Sequence, residues 1–445
     1  MRVIVVGAGE VGANIAISLA ESHDVTVIDV NPEKVEELTY SSDILAIEGD
    51  GTSLGILEEA GIAEADMLIA STDDDETNLV TCGTAKTTGD VFTIARVRNA
   101  NFLDTWTRSE RAFGVDFMVS TNLLTANDIV RVVGLPAAVD VDPFAGGLVQ
   151  MAEFEVAADS EIVGRTVEEA DKFDALTFAA LVQEGDVVIA RGQTRIEAGN
   201  KVIVIGSPES VQAFSKTVAS AETADEARDI VVVGGSDIGY HTARLLEERG
   251  LEPRLIEQDA DRGRQLAEDL PGTIVMVHDA TDVDFLVGEH IDRADAVIAA
   301  TDSDEKNLLV SLLAKNIGVA RTVAVVEQGQ YASLFEAVGT DVAINPREAT
   351  AEEIVRFTQE GQVENLSLIE GRQAEVLEIE VDEASVLAGR PIHESVTELP
   401  SDVVIGAITR DQEFIVPRGG TVINAGDHVV LFVAADVLSR VMELV

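Results

Sequence analysis

Residues 2–12, RVIVVGAGEVG, carry an apolar run straight into glycines spaced G-x-G-x-x-G, and residues 13–20, ANIAISLA, continue as an amphipathic stretch. That succession reads as a buried strand, a tight turn and a helix, the context in which a glycine triplet becomes a dinucleotide fingerprint. Gly7 permits the turn, Gly9 lets backbone approach a pyrophosphate, and Gly12 lets the helix pack on the strand. The loop is completed by Ala8, Glu10 and Val11, and the helix N-terminus offers unpaired N–H groups at the positive end of its dipole. Asp29 ends the next apolar run, TVID, and lies 29 − 9 = 20 residues beyond Gly9. There a carboxylate accepts hydrogen bonds from both adenosine ribose hydroxyls and repels a 2′-phosphate, which favours NAD(H) over NADP(H). The competing reading leaves the glycines to packing and Asp29 to a solvated turn.

The same pattern returns. DIVVV at 229–233 runs into GGSDIG at 234–239, an offset of 234 − 7 = 227. RLIE ending at Glu257 matches TVID, MVHDAT ending at Thr281 matches IEGDGT ending at Thr52, and ADAVIAATDSDEKN (294–307) matches ADMLIASTDDDETN (65–78). A second pair of segments repeats too: SEIVGRTVEEA from Ser160 with SVLAGRPIHES from Ser385, and IARGQTRIEAGNKVIVI from Ile189 with IVPRGGTVINAGDHVVLF from Ile415. The chain is therefore A-B-A′-B′. Each A unit alternates short apolar runs with amphipathic stretches, predicting strands near 2–6, 25–29, 44–48, 66–70, 91–96 and 115–119 in a doubly wound parallel sheet. Each B unit has short β runs, with one helix near 166–170 in the first copy and tight turns at Gly199-Asn200 and Gly426-Asp427. The expected fold is α/β: a duplicated Rossmann-like sheet, each copy followed by a small α+β domain. The expected division is a Rossmann-like domain at 1–120, a connecting helix at 121–138, a small domain at 139–216 and a linker at 217–228. The second set follows as 229–346, 347–364 and 365–445.

Composition narrows the function classes. A chain of 445 residues exceeds what one core usually serves. No apolar run approaches the roughly 18 residues of a membrane helix, and the start of the chain lacks a cleavable apolar leader, so a cytoplasmic location is expected. A single cysteine, Cys82, excludes an intramolecular disulfide and a Cys-based zinc site, and six scattered histidines show no metal-ligand spacing. Basic and acidic residues sum to 31 − 81 = −50, which argues against a nucleic-acid partner. The acidic residues are interspersed among apolar strands and not blocked. This is the pattern of proteins from salt-loving organisms, where concentrated salt screens self-repulsion.

Other strand ends gather at the same sheet edge, where open α/β proteins bind ligands. Asp50 and Gly51 follow strand three, Thr72 and Asp73 follow strand four, and Arg96 lies in strand five. Asp50 could reach the adenine or its ribose. Arg96 could meet phosphate charge or form a surface salt bridge. Asn78, matched by Asn307, is expected to cap or bridge helix turns in preference to touching ligand. In the second copy the loop is Gly234, Gly235, Ser236, Asp237, Ile238 and Gly239. Serine replaces the central glycine, the acid survives as Glu257, Asp279, Ala280, Thr301 and Asp302 occupy the strand ends, and Val325 stands in place of Arg96. A second NAD site, an altered nucleotide site and a vestigial domain are all open. Ser236 does not fit a nucleophile elbow, whose spacing is G-x-S-x-G.

GAGEVG with VIDVN, EGDGT, ADMLIASTDDDETN, IARVRN and the closing ITRDQEFIVPRGGTVINAGDHVVLF together resemble the TrkA family, over essentially the whole chain. These are peripheral subunits of Trk potassium-uptake systems and carry two regulator-of-potassium-conductance (RCK) domains. The resemblance implies NAD(H) or ATP/ADP binding at the Rossmann edges, a homotetrameric ring, and docking from the cytoplasm onto a transmembrane potassium-translocating Trk subunit. It carries the first-copy contacts onto Gly7 to Val11, Asp29, Asp50, Gly51, Thr72, Asp73 and Arg96. The second copy departs from the pattern at Ser236 and Val325. Small domains in related regulators bind cyclic dinucleotides or other effectors. Two rivals stand beside this reading. An NAD-dependent oxidoreductase would need a proton-transfer residue facing the nicotinamide, and no clustered His or Lys–Tyr pair is evident. A redox-sensing regulator of another partner fits the Rossmann part alone.

Overall fold

The computed structural model describes residues 1–20, 23–41, 44–109, 112–183, 185–219, 227–358, 365–369, 373–442 and 444–445. Strands β1 (Arg2–Val6), β2 (Asp24–Asp29), β3 (Leu45–Glu48), β4 (Met67–Ala70), β5 (Phe92–Val97) and β6 (Phe117–Ser120) form one parallel sheet in the order β3-β2-β1-β4-β5-β6. Helices cover both faces, so β1 and β4 are buried on both sides and read as unbroken apolar runs. The order reverses between β1 and β4, and their carboxyl ends open the crevice where the glycine loop sits. The sixth strand starts two residues later than the expected 115–119. Val115 is taken up by a turn onto Ala112, and the Asp116 amide bonds Thr93 O.

The first small domain holds β7 (Ala138–Phe144), β8 (Val149–Glu155), β9 (Leu176–Gln183), β10 (Asp186–Ile189) and β11 (Lys201–Gly206), antiparallel in the order β10-β9-β11-β8-β7. Its short helix, Val167–Ala170, starts with a capping box between Thr166 and Glu169, and a second helix beyond the one expected, Pro208–Val218, is capped by Ser207 and runs into the expected linker. Gly199 and Gly426 take φ of +76° and +86° in the turns before the last strands. The second half repeats the plan. Strands β12 (Ile230–Val233), β13 (Arg254–Glu257), β14 (Ile274–Val277), β15 (Ala296–Ala299), β16 (Arg321–Val325) and β17 (Val342–Ile344) form a parallel sheet in the order β14-β13-β12-β15-β16-β17. Then β18 (Asn365–Ile369), β19 (Ala374–Glu380), β20 (Val403–Arg410), β21 (Glu413–Ile415) and β22 (His428–Ala434) form the second small sheet.

The halves interlock through their connecting helices. Thr121–Val133, which ends short of the expected 138 because Gly134 caps it and Ala138 already opens β7, leaves the first sheet and packs on Asp237–Glu248 of the second half, while Pro346–Thr358 packs back on Glu10–Ala20 of the first. One core cluster thus joins Ile129, Val130 and Val133 to the second Rossmann-like sheet, and another joins Ile354 and Val355 to the first. Phe357 stacks on Phe117, with ring centroids 3.8 Å apart. The two small sheets share a further core, with Met151, Ile203 and Ile205 against Val376, Ala407 and Phe432. A Cβ on Gly406 would lie 2.5 Å from Ile205 Cδ1, so only glycine admits this approach. Positions 220–226 of the expected linker and 359–364 of the expected second connecting helix lie outside the described residues.

Candidate nucleotide sites

The first glycine loop is built as its spacing suggests, and each glycine answers to a different neighbour. Gly7 has φ +104° and donates its amide to Ile28 O at 2.8 Å. A Cβ on Gly12 would lie 1.8 Å from Gly7 O, so the helix can seat on the turn only without a side chain. Gly51 likewise packs on Val6. Gly9 differs. Its Cβ would meet only Lys34 Nζ, at 3.8 Å, so the fold itself does not demand glycine there. What a side chain would fill is the cradle in front of the helix, where the amides of Glu10 and Val11 have no acceptor among the described residues. Asp29 braces this loop. Its Oδ2 accepts from Ala8 N at 2.5 Å and its Oδ1 from Asn31 N at 2.7 Å.

A cavity of about 520 Å³ opens over the loop. Of the residues singled out in the first copy, Gly7, Gly9, Glu10, Val11, Asp29, Asp50, Gly51, Thr72, Asp73 and Arg96 line it, whereas Ala8 and Gly12 do not. Asp50 takes two hydrogen bonds from Thr52, through its hydroxyl at 2.7 Å and its amide at 2.9 Å, and these hold its carboxyl below the usual range. Arg96 is 2% exposed, which corrects the surface salt-bridge alternative. Its Nε donates to Thr121 Oγ1 at 3.1 Å, and its Nη1 lies 3.3 Å from Asp73 Oδ1. Burial and the neighbouring Arg98 lower the Arg96 pKa. For Asp73, burial pushes the pKa up, but Arg98 at 2.7 Å and Arg96 outweigh it and the net shift is downward. The result is a charged wall on one side of the cavity.

Asn78 corrects another expectation: it bridges strand ends, not helix turns. Its Oδ1 accepts from Thr72 N and Thr72 Oγ1 at 2.9 and 2.7 Å, and its Nδ2 donates to Thr72 O and Arg96 O at 3.0 and 2.9 Å. It thereby fixes β4 to β5 directly behind the cavity. Asn307 does the same for Thr301 and Val325. Two lining cations escaped the sequence reading. Lys34 had a signal, since Arg262 recurs at the same place after the second acidic strand end. Arg347 had none, because it arrives from the second connecting helix, 337 residues from Glu10.

The second cavity is smaller, about 220 Å³. Gly234, Gly235, Ser236, Glu257, Asp279, Ala280, Thr301 and Asp302 line it, while Asp237, Ile238 and Gly239 do not. Ser236 Oγ donates to Ala300 O at 2.6 Å and accepts from Gly239 N at 3.2 Å. The helix N-terminus is therefore capped by its own serine, the position an anion would take. Glu257 grips the loop much as Asp29 does, with Gly235 N on Oε2 and Asp259 N on Oε1, both at 2.7 Å. Val325 is buried and apolar, but Lys306 lines this cavity, in the place Thr77 holds in the first. The second copy thus has a cation of its own, from a position the sequence reading passed over.

The family model for the TrkA-N domain matches residues 3–121 and 230–346, and that for the TrkA-C domain matches 151–219 and 376–445. The Trk system potassium uptake protein TrkA homolog 1 of Methanosarcina mazei is 36% identical over 452 residues, covering 99% of each chain. The TrkA homolog of Archaeoglobus fulgidus is 36% identical over 444 residues and 100% of each chain. Among solved structures, the GsuK channel bound to NAD superposes with a TM-score of 0.61 at 18% identity, over 99% of this chain and 79% of that one, a likeness of fold. With both domain types present twice and whole-length relatives at this identity, the chain belongs to the TrkA family of Trk potassium-uptake proteins.

Proposed function

We propose that this chain is the nucleotide-sensing regulatory subunit of a Trk-type potassium-uptake system. It binds NAD(H) or ATP/ADP at the first cavity and gates a transmembrane potassium-translocating subunit from the cytoplasmic face, as a homotetramer peripheral to the membrane. The observation that carries the reading is Gly9: a glycine whose Cβ would meet only the tip of Lys34, in front of two amides without acceptors among the described residues. A pyrophosphate fits that cradle. The adenosine ribose fits Asp29, whose carboxylate oxygens each keep a lone pair beyond the loop amides, and Arg96 and Lys34 supply positive charge on the phosphate side. The Rossmann-like units at 1–120 and 229–346 act as sensors, and the small domains at 139–216 and 365–445 join the halves.

The ligand acts as an effector and is not consumed. Two glycine-loop sites in one chain have no use in a simple hydride transfer, and the whole-length relatives are named for potassium uptake. Nucleotide shifts a two-state equilibrium by its differential affinity for the states, about 1–3 kcal/mol in typical cases. Mass spectrometry of nucleotide released from the purified protein identifies the ligand. Titration of the detergent-solubilised membrane subunit, with and without that ligand, is expected to show a changed affinity with the nucleotide recovered intact. Substrate-dependent oxidation of bound NADH would sink the proposal and favour an oxidoreductase.

A further inference from the structure

Arg347 belongs to the second half yet lines the first-half cavity. Its Nη1 lies 2.8 Å from Glu10 Oε2, and its Nη2 lies 3.5 Å from Glu327 Oε2. Its Nε is buried and has no acceptor among the described residues. Glu10 is held a second time from the same side, because Gly329 N donates to its Oε1 at 3.2 Å. The first residue of the glycine-loop helix is therefore latched to the second half by two donors. It stands at the helix end where phosphate would bind. A phosphate there brings negative charge beside the Glu10 carboxylate, and Arg347 offers a planar fork suited to phosphate oxygens.

The opposite direction lacks this device. In strand register Arg96 pairs with Val119 and Val325 pairs with Ile344, so the residue three beyond each partner makes Asn122 the counterpart of Arg347. Asn122 Nδ2 lies 3.4 Å from Asp237 Oδ2 and donates to Arg98 O at 3.0 Å. The contact is equivalent in position but carries no positive charge.

We propose that Arg347 is a phosphate-sensing residue supplied to the first nucleotide site by the second half, and that phosphate displaces Glu10 as its partner. This rests on the first cavity being a nucleotide site. Phosphate bound at the loop draws the guanidinium away from Glu10 and weakens the Glu10–Gly329 bond. Occupancy in the first half is thereby reported to the helix Pro346–Thr358 and on to the second small domain. The site consequently reads phosphate charge, and adenine nucleotides with a phosphate chain gain over adenosine.

The test is calorimetric titration of the full chain with ATP, NADH and adenosine at one fixed KCl concentration, with melting temperature as the folding control. Arg347→Gln is expected to lower ATP affinity about tenfold to a hundredfold, the range of a lost charge-assisted bond, and to leave adenosine affinity unchanged. Arg347→Lys should recover part of the loss, and Glu10→Gln should raise ATP affinity by removing the competing carboxylate. Hydrogen exchange at the Gly329 amide should quicken on adding ATP to the parent and not to Arg347→Gln. Unchanged ATP affinity in Arg347→Gln, or an equal loss for ATP and adenosine, overturns the proposal while leaving the nucleotide site intact. A parent chain that binds neither ATP nor NADH overturns the nucleotide reading and this inference together.

Discussion

Gly9 and Gly12 stand three residues apart in one loop, and a methyl group added to each meets opposite surroundings. At Gly12 it strikes the Gly7 carbonyl, an atom that cannot give way, so Gly12→Ala should destabilise the chain by about 3 kcal/mol. At Gly9 it enters the open cradle, so Gly9→Ala should keep the parent melting temperature and lose nucleotide affinity. Thermal melts and titrations of the two variants separate these effects, and a Gly9→Ala protein that binds nucleotide normally counts against the site. The paired acids give a second residue-scale expectation. Asp29→Ala leaves ribose hydroxyls unpaired and also releases the Ala8 amide, so NADH affinity should fall at least about tenfold. Glu257→Ala should change the tight phase of NADH binding little, because the second loop is already closed by Ser236. If Glu257→Ala abolishes the tight phase while Asp29→Ala spares it, the ranking of the two sites is wrong.

At the scale of elements, each Rossmann-like sheet is closed at its far edge by the same joint. Lys86 Nζ lies 2.5 Å from Asp116 Oδ2, which also accepts from Thr93 N and Thr93 Oγ1, at 2.8 and 3.0 Å. Lys315, Asp341 and Thr322 repeat it. Burial works to raise the Asp116 pKa, but Lys86 and the two Thr93 donors prevail and hold it below the usual carboxylate value. A carboxylate with a depressed folded-state pKa stabilises fully above its unfolded pKa, about 3.9, and loses that contribution as pH falls toward the folded value. Acid titration below about pH 4 should therefore loosen the β5–β6 edge. Asp116→Asn should cost about 1–2 kcal/mol at neutral pH and flatten the acid limb of the melting curve. A variant whose acid limb matches the parent's would show that the joint contributes nothing.

Across the whole molecule the dominant fact is charge, −50 on 445 residues. In dilute buffer near 0.01 M the Debye length grows to about 30 Å, so repulsion between surface carboxylates acts across a domain and between subunits. The proposed homotetramer should weaken before the individual domains melt, since each copy adds its own like charge to the repulsion. Light scattering and thermal melts in dilute buffer and in molar KCl check this. Unchanged mass and melting temperature in dilute buffer would contradict it.

The duplication, the parallel strand plan and the tight turn at the start of each glycine loop were legible in the sequence, because they depend on spacing along the chain. A strand period, a glycine that needs φ above zero and an acid 20 residues beyond Gly9 are set by neighbours along the chain. The tertiary structure alone decided the rest. It swapped the connecting helices between halves, brought Arg347 to Glu10 across 337 residues, turned Asn78 from the helix to the strand ends, and made the second cavity less than half the volume of the first. Those outcomes follow from which apolar helix faces meet and how closely backbones approach. Faces with the same local pattern can pair in several ways, and only the packed whole selects one.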